Sequence, residues 1–215
     1  MPKREIAIKH TTILSAYILI VWGFYRGLFR LPEEVEEIVI KPLIWLTPVF
    51  YFLRKERAGL SSIGLTFKNL IPSVYFSIAL GIIFAIEGFL VNIIKYKGID
   101  FSANIGSTPL FLALFISLAT AISEELTFRG YIFGRIWHAS GNELVSNLIT
   151  SFLWAMVHIP VSIFWWRLDL SASLGLLSLT TIFGIASAII YARTKNIMAP
   201  ILLHLFWEWP IILFR

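Results

Sequence analysis

The chain has 215 residues, of which 58% are hydrophobic and 15% aromatic, and its mean hydropathy is +0.80. A water-soluble domain of this length cannot bury so much apolar surface, so the composition is typical of an integral membrane protein. The 18 basic and 13 acidic residues give a formal net charge of +5. The basic residues are scattered between apolar segments rather than gathered in a stripe, which argues against nucleic-acid binding. The absence of cysteine excludes disulfides, thiolate metal sites and cysteine nucleophiles.

Apolar segments of roughly bilayer length follow one another along the whole chain. They predict seven transmembrane helices, at residues 11–29, 39–53, 70–94, 108–123, 144–165, 172–191 and 197–214. Pro160 predicts a kink in the fifth helix. No linker, low-complexity tract or repeat divides the sequence. We therefore predict an all-α fold, a polytopic bundle of about seven transmembrane helices that forms a single membrane domain over residues 1–215.

Basic residues indicate the orientation, because cytoplasmic loops are enriched in Lys and Arg. With the N-terminus inside, 11 basic residues lie on the inner side and six on the outer side. The acidic stretch 33–37 then lies outside, and the acidic motif described next opens toward the cytoplasm. Arg26 and Lys41 lie near the ends of predicted spans, where snorkelling to the interface explains them.

Two adjacent carboxylates, Glu124 and Glu125, end the uncharged run 110–122. An acid in the middle of a bilayer costs about 2.5 to 3.5 kcal/mol on insertion scales, so membrane acids usually have a task. On a helix the two side chains point about 100° apart, and Glu125 lies one turn before Arg129. One glutamate can therefore face the interior while the other pairs with the arginine. The alternative is that both are solvated at the membrane interface.

Two histidines lie inside other apolar segments. His158 follows Trp154 by one helical turn, and Glu208 follows His204 by one turn on the same face. Each histidine has a structural alternative, since a hydrogen bond between helices would also explain a polar side chain there. Glu87, in the third span, is interpreted as structural or cavity-lining.

Several protease chemistries are excluded by the residues that the chain lacks. There is no His-Glu-x-x-His motif, so the usual zincin helix is absent. Its two aspartates, Asp100 and Asp169, fall in predicted loops, and Ser140-Gly141 lacks the glycine expected of a rhomboid-like motif. A glutamate with histidines remains.

These residues resemble the type II CAAX prenyl protease family, also called the CPBP or Abi family of intramembrane proteases. The stretch from Glu124 to Gly130 matches the family's Glu-Glu-x-x-x-Arg motif, with the aromatic Phe128 before the arginine. The segment 154–158 matches Phe-x-x-x-His with Trp in the first place, and 204–208 matches His-x-x-x-Asn/Asp with Glu in the last. The resemblance covers about residues 108–209.

The resemblance implies hydrolysis of a peptide bond within or at the edge of the membrane. By analogy, Glu124 is the general base that activates water, and His158 positions that water. His204 and residue 208 would stabilise the oxyanion, and Glu125 with Arg129 would hold the site in shape. Trp154 and Phe128 are supporting residues of the same motifs.

The glutamate at position 208 leaves metal dependence open. An asparagine could donate to an oxyanion, whereas an ionised Glu208 would repel it unless it were protonated or bound to metal. Glu124, His158, His204 and Glu208 form a ligand set compatible with catalytic Zn²⁺, which takes three protein ligands and one open position. A metal-independent mechanism is the other expectation.

A non-enzymatic function is the alternative: an inactive homologue, or a small transporter whose Glu and His side chains form a proton relay. Catalysis requires these side chains to converge, whereas a relay would string them along a path. As partners we expect the lipid bilayer and a membrane-bound peptide or prenylated protein. The expected location is a prokaryotic cytoplasmic membrane. The sequence does not select the native substrate or the oligomeric state.

Overall fold

Helices make up most of the computed structural model, which describes residues 1–98 and 108–213. They are α1 (Arg4–Leu28), α2 (33–55), α3 (Leu70–Tyr96), α4 (Leu110–Ser140), α5 (Glu143–Trp165), α6 (Leu170–Thr194) and α7 (Met198–Leu213). No strand occurs among the described residues. Five helices, α1 and α3 to α6, are long and apolar enough to cross a membrane, and α7 is a shorter apolar helix. The predicted all-α membrane bundle of about seven helices is confirmed.

The clearest difference from the predicted spans is the length of α4. It continues for 31 residues past the acidic motif, which is about 46 Å at the usual helical rise. The motif therefore lies near the middle of the helix rather than at the end of a span. The helix can continue because both carboxylates find partners inside the bundle, as described below. Two predicted features, the loop position of Asp100 and the end of the seventh span at Phe214, fall outside the described residues.

Wide, π-helical turns interrupt three of the helices, at Glu36–Ile40 in α2, Leu126–Phe133 in α4 and Val161–Trp165 in α5. Pro42 lies two residues after the first of these segments, and Pro160 directly precedes the third. Pro42 has no N–H, so the carbonyl of Ile38, inside the first segment, loses its helical partner and the turn can widen. Such turns are frequent at functional sites. Here they lie in the three helices that meet at the acidic motif.

Glycines allow helices to approach each other closely at two places. A Cβ added at Gly81 of α3 would lie 2.5 Å from the ring of Phe206 on α7, so only glycine fits there. Gly184 of α6 faces Ser151 of α5, at 3.0 Å for an added Cβ. These contacts bring α7 and α6 against the rest of the bundle, which places the histidine-bearing helices α5 and α7 on either side of α6.

At one end of the bundle, three helices are joined by a buried ionic network, which we call the Glu56 network. Both carboxylate oxygens of Glu56 are used, one by Tyr131 and His10 and the other by Arg135 at 2.8 and 3.0 Å. Arg135 also donates to the carbonyl oxygen of Ser62. The side chains of Glu56 and Arg135 are fully buried. Helices α1, α2 and α4 are therefore joined at this end.

At the same end, Gly130 of the acidic motif allows a close contact between two segments. A Cβ added at Gly130 would lie 2.8 Å from the carbonyl oxygen of Ile63, in the short 3-10 turn Leu60–Ile63. Glycine thus lets α4 and the connection after α2 touch. The orientation, with the acidic motif open toward the cytoplasm, stays a prediction.

We expect Glu56→Gln to lower the thermal midpoint of the detergent-solubilised protein. Removing one partner of a buried pair leaves Arg135 uncompensated and costs about 3 kcal/mol. Glu143→Gln is the control, because its exposed ion pair with Arg193 is worth less than about 1 kcal/mol. Equal midpoints for the two variants would contradict a stabilising role for the Glu56 network.

The same variant tests a pH dependence. Burial alone would raise the pKa of Glu56, but hydrogen bonds from Tyr131, His10 and Arg135 outweigh it and hold that pKa below its ordinary value. A lowered carboxyl pKa gives stability that is present above the unfolded pKa and is lost as the pH falls through the folded one. The difference in midpoint between wild type and Glu56→Gln should thus be full at neutral pH and shrink below about pH 4.

Candidate active site

Glu125 joins three helices through one carboxylate. Its Oε1 accepts from His204 Nδ1 of α7 at 2.9 Å, and its Oε2 accepts from Ser187 Oγ of α6 at 2.8 Å. Nη1 of Arg129, one turn later on α4, lies 3.2 Å from Oε1. Glu125 and Arg129 are fully buried, so the predicted pair forms within the protein and the interfacial, solvated alternative does not hold.

The guanidinium of Arg129 is held by charge and by an aromatic face. It makes an ion pair with Glu125, but its N–H groups do not align for hydrogen bonds within the described residues. Its central carbon lies 4.6 Å from the centre of a Trp154 ring, which is a cation–π contact. Arg129 therefore fixes the position of Trp154 as well as that of Glu125.

Glu124 points to other helices. Its Oε2 accepts a hydrogen bond from Nε1 of Trp154 on α5 at 2.6 Å, and its Oε1 lies 2.6 Å from Nζ of Lys41 on α2. The side chain is 5% exposed. Each carboxylate oxygen has one donor, so about two of its roughly four acceptor positions remain for a water molecule.

The indole of Trp154 lies at the centre of the predicted site residues. Besides its hydrogen bond to Glu124, its ring centre lies 4.8 Å from that of His158 and 5.8 Å from that of His204. The structure thus brings the predicted base and both predicted histidines around one side chain. A phenylalanine, which the family pattern has here, could not donate the hydrogen bond.

The hydrogen bonds of His158 define its tautomer. Nδ1 lies 2.9 Å from the carbonyl oxygen of Trp154. Because a carbonyl only accepts, Nδ1 carries the proton and Nε2 of the neutral ring is an acceptor. That nitrogen is available to hold a water molecule.

His204 lies between two carboxylates. Nδ1 contacts Glu125, and Nε2 lies 3.3 Å from Oε1 of Glu208. Glu208 also accepts from Ser117 Oγ of α4 at 2.6 Å. With both carboxylates ionised, both ring nitrogens of His204 must donate. The positive charge then balances Glu208, which removes part of the repulsion expected from a glutamate at this position.

Glu208 is more accessible than the histidine that it contacts. Its side chain is 26% exposed, whereas that of His204 is 1% exposed. The last residue of α6, Thr194, accepts a hydrogen bond from Asn69 near the Glu56 network, so α7 starts at that end of the bundle. Glu208 lies toward the opposite end, where α1 ends and α2 begins.

The predicted zinc ligands do not form a metal cluster. Among the described residues, no group of three or more His, Asp or Glu side chains could hold a metal ion. An ammonium group and an indole N–H occupy the oxygens of Glu124, and His204 is used at both nitrogens. The arrangement of donors around Glu124 does not fit a divalent cation.

Sequence reasoning missed Lys41 and its neighbour Glu37. Lys41 was expected to snorkel, but it is buried against Glu124, and Glu37 was expected in an outer loop, but it is buried in α2. Snorkelling fails because the partner carboxylates lie inside the bundle. The signal was present: Glu37 and Lys41 are one helical turn apart, and a charged residue in an apolar helix is itself a sign of function.

Two further predicted residues lie behind or beside the site. The ring of Phe128 packs edge-on against Trp45 of α2, 5.5 Å between centres. Oε2 of Glu87 accepts from Nε1 of Trp207 at 2.9 Å. Phe128 therefore supports the helix that carries Lys41, and Glu87 binds Trp207 of α7, which stacks on Phe183 of α6.

Comparisons with known proteins find a family match over the part of the chain that carries the three motifs. Residues 106–210 match the family described as type II CAAX prenyl endopeptidase Rce1-like. This range includes all three motifs. Over these residues, about half of its length, the chain is similar to the Rce1-like family.

Two curated proteins of Bacillus subtilis (strain 168) are similar to the chain. The sporulation-killing factor biosynthesis protein SkfC is 30% identical over 102 residues, 43% of this chain and 21% of SkfC. YdiL, which is named as a membrane peptidase, is 29% identical over 158 residues, 65% of this chain and 58% of YdiL. The chain thus spans about a fifth of the first relative and less than two thirds of the second. No solved structure matches the chain.

We expect Trp154→Phe to destabilise the protein more than Trp207→Phe. Each substitution removes one indole N–H that donates to a glutamate, but Glu124 is buried whereas Glu87 is partly exposed. Leaving a buried charged acceptor without its donor costs about 1–3 kcal/mol. Thermal unfolding in detergent measures the difference, and a larger loss in Trp207→Phe would contradict the central place given to Trp154.

Proposed function

We propose that this protein is an intramembrane endopeptidase that hydrolyses a peptide bond of a membrane-associated substrate with water activated by Glu124. The observation that carries the proposal is the setting of Glu124, a buried carboxylate with a fixed orientation beside two histidines. The match of residues 106–210 to an endopeptidase family supports the same activity.

The proposed mechanism uses one water and no covalent intermediate. Glu124 takes a proton from water as the oxygen attacks the carbonyl carbon of the substrate, with Nε2 of His158 holding that water. The carbonyl oxygen becomes an oxyanion. The Nε2–H of His204, which lies 3.3 Å from Glu208 in the free protein, turns from Glu208 to the oxyanion and stabilises it, while Nδ1 stays bound to Glu125. The intermediate then collapses, the C–N bond breaks, and Glu124 returns its proton to the leaving amine.

A metal-independent version of this mechanism is favoured. The ammonium of Lys41 lies 2.6 Å from Glu124, at a place where a second cation would be repelled. Glu208 takes part as the partner of His204, so it modulates the oxyanion donor rather than binding metal. An asparagine at this position would keep a hydrogen-bonding group and remove a negative charge.

The substrate proposal rests on the relatives. The family description names prenylated CAAX proteins, and the name of SkfC refers to the biosynthesis of a killing factor. Prenylated peptides and precursors of membrane-active peptides are thus the two substrate classes to test.

Glu124→Gln tests the function most simply. The variant keeps the shape of the side chain but cannot accept the proton, so cleavage of a farnesylated CAAX peptide or of a membrane-peptide panel should fall about 1000-fold. Glu34→Gln, an exposed glutamate on α2, is the matched control and should cleave like wild type. EDTA should leave the rate unchanged within about twofold, because no metal takes part.

The Glu208→Asn variant belongs to the same assay. Metal-free chemistry predicts an unchanged or higher rate, whereas loss of a metal ligand would lower it. Rates that fall with EDTA and recover with Zn²⁺ would replace the metal-free mechanism. A folded wild type that cleaves no substrate but conducts protons in liposomes would favour a relay. The string of buried charges from Glu124 through Lys41 and Glu37 to Arg26 makes that relay the second candidate.

We also propose a prokaryotic cytoplasmic membrane with the N-terminus inside, from the distribution of basic residues. The end of the bundle where α1 ends and α2 begins, toward which Glu208 lies, then faces outward, so precursor peptides from that side belong in the substrate panel. The natural absence of cysteine allows a clean test.

Single cysteines at Lys68 and Glu34, both exposed and at opposite ends of the bundle, report the orientation. A maleimide that does not cross membranes should label Glu34→Cys in intact cells and label Lys68→Cys only after lysis. The reverse pattern would place the N-terminus outside and turn the end of the bundle where α1 ends and α2 begins toward the cytoplasm.

A further inference from the structure

Lys41 is a buried cation that the three motifs do not include. Its Nζ lies 2.6 Å from Oε1 of Glu124 and 2.6 Å from Oε2 of Glu37, and its side chain is 5% exposed. Lys41 and Glu37 lie on α2, outside the segment 106–210 that matches the family. The proposed base therefore has its nearest charged partner in another part of the chain.

A buried carboxylate requires such a partner to stay ionised. The effective cost of burying an isolated ion is several kcal/mol, so an unpaired carboxyl group usually takes up a proton instead. A protonated Glu124 could not accept a proton from water. The ammonium of Lys41 is the only cation in ion-pair contact with Glu124 among the described residues. Arg129, on the same helix, pairs with Glu125 instead.

Two parallel contacts fix Lys41 in place. Glu37 lies one turn before Lys41 on α2, and Thr120 lies one turn before Glu124 on α4. Lys41 binds both carboxylates, and the hydroxyl of Thr120 donates to Oε2 of Glu37 at 2.8 Å. These contacts join one turn of α2 to one turn of α4, and they limit how far the ammonium of Lys41 can move.

Aromatic rings cover the remaining side of the ammonium. Nζ lies 5.5 Å from a Trp22 ring centre and 5.3 Å from a Trp45 ring centre. An ammonium has three donors. Two point to carboxylates, so the third can face the indoles, where cation–π attraction replaces water. This enclosure directs the charge of Lys41 toward Glu124.

We propose that Lys41, anchored by Glu37, is a positioning residue of the active site that keeps Glu124 ionised and orients its carboxylate toward the attacking water. The inference rests on the proposed role of Glu124 as the base. It extends the site from the family-matched helices to α2.

The test compares Lys41→Met, Lys41→Arg and Glu37→Gln with Glu56→Gln. Lys41→Met should lower kcat about 100-fold, because Glu124 then holds a proton and general-base catalysis is lost, and change KM less than about threefold. Lys41→Arg keeps the charge, so its kcat should be at least about tenfold higher than that of Lys41→Met. Glu37→Gln keeps the ammonium but loosens it, so kcat should fall about tenfold at constant KM.

Glu56→Gln is the matched control for lost stability, since it breaks a buried ionic network at the other end of the bundle and touches no site residue. Its kcat should stay within about twofold of wild type. Lys41→Met with wild-type kcat would overturn the proposal. So would a loss of kcat that only follows the thermal midpoint across Lys41→Met and Glu56→Gln. If Lys41→Met does not fold, wild-type kcat in Glu37→Gln overturns it.

A second measurement does not depend on turnover. Dicyclohexylcarbodiimide reacts with protonated carboxyl groups in apolar surroundings, and mass spectrometry locates the adduct. Glu124 should be labelled in Lys41→Met and unlabelled in wild type, Lys41→Arg and Glu56→Gln. This pattern in a protein that cleaves nothing would refute the proposed function but retain the Lys41–Glu124 pair. Labelling of Glu124 in wild type would overturn the pair itself.

Discussion

The arrangement of the bundle depends on two carboxylates that are adjacent in one helix. Glu124 and Glu125 point about 100° apart, so each meets different neighbours. Glu124 contacts α2 and α5, and Glu125 contacts α6 and α7. One dipeptide of α4 thereby holds four other helices around it. If one residue separated the two glutamates, their side chains would point about 200° apart. The contacts of Glu125 with α6 and α7 would then lie on the opposite side of α4 from those of Glu124.

All of these contacts involve buried charged groups. A charge inside the membrane needs its partners in place, so the helices that supply them are constrained together. The wide turns of α2 and α4 lie next to these contacts in the chain, directly before Lys41 and directly after Glu125. The two glutamates have different surroundings as a result. Glu125 is saturated by three partners, whereas Glu124 keeps acceptor positions free for water.

Much of the fold could be predicted from the sequence. The remaining site contacts could not, because they join residues that are distant in the chain. Hydropathy gave the seven helices, and helical spacing gave the Glu125–Arg129 pair. The same rules failed for Lys41, because a lysine near a predicted span end satisfies the snorkelling rule just as well, and only the fold brings Glu124 to it. The hydrogen bond from Trp154 was also missed. A tryptophan in place of phenylalanine changes ring size predictably, but its N–H matters only when an acceptor lies opposite.

We infer that Glu125 holds the site together and that Glu124 carries the proposed chemistry. The most direct test measures the thermal midpoint of Glu125→Gln beside that of Glu124→Gln in the same detergent. Glu125→Gln leaves Arg129 and His204 without their common carboxylate, so its midpoint should fall by several degrees. Glu124→Gln leaves Lys41 still paired with Glu37, so its midpoint should stay close to wild type. A fall confined to Glu124→Gln would contradict this division of roles.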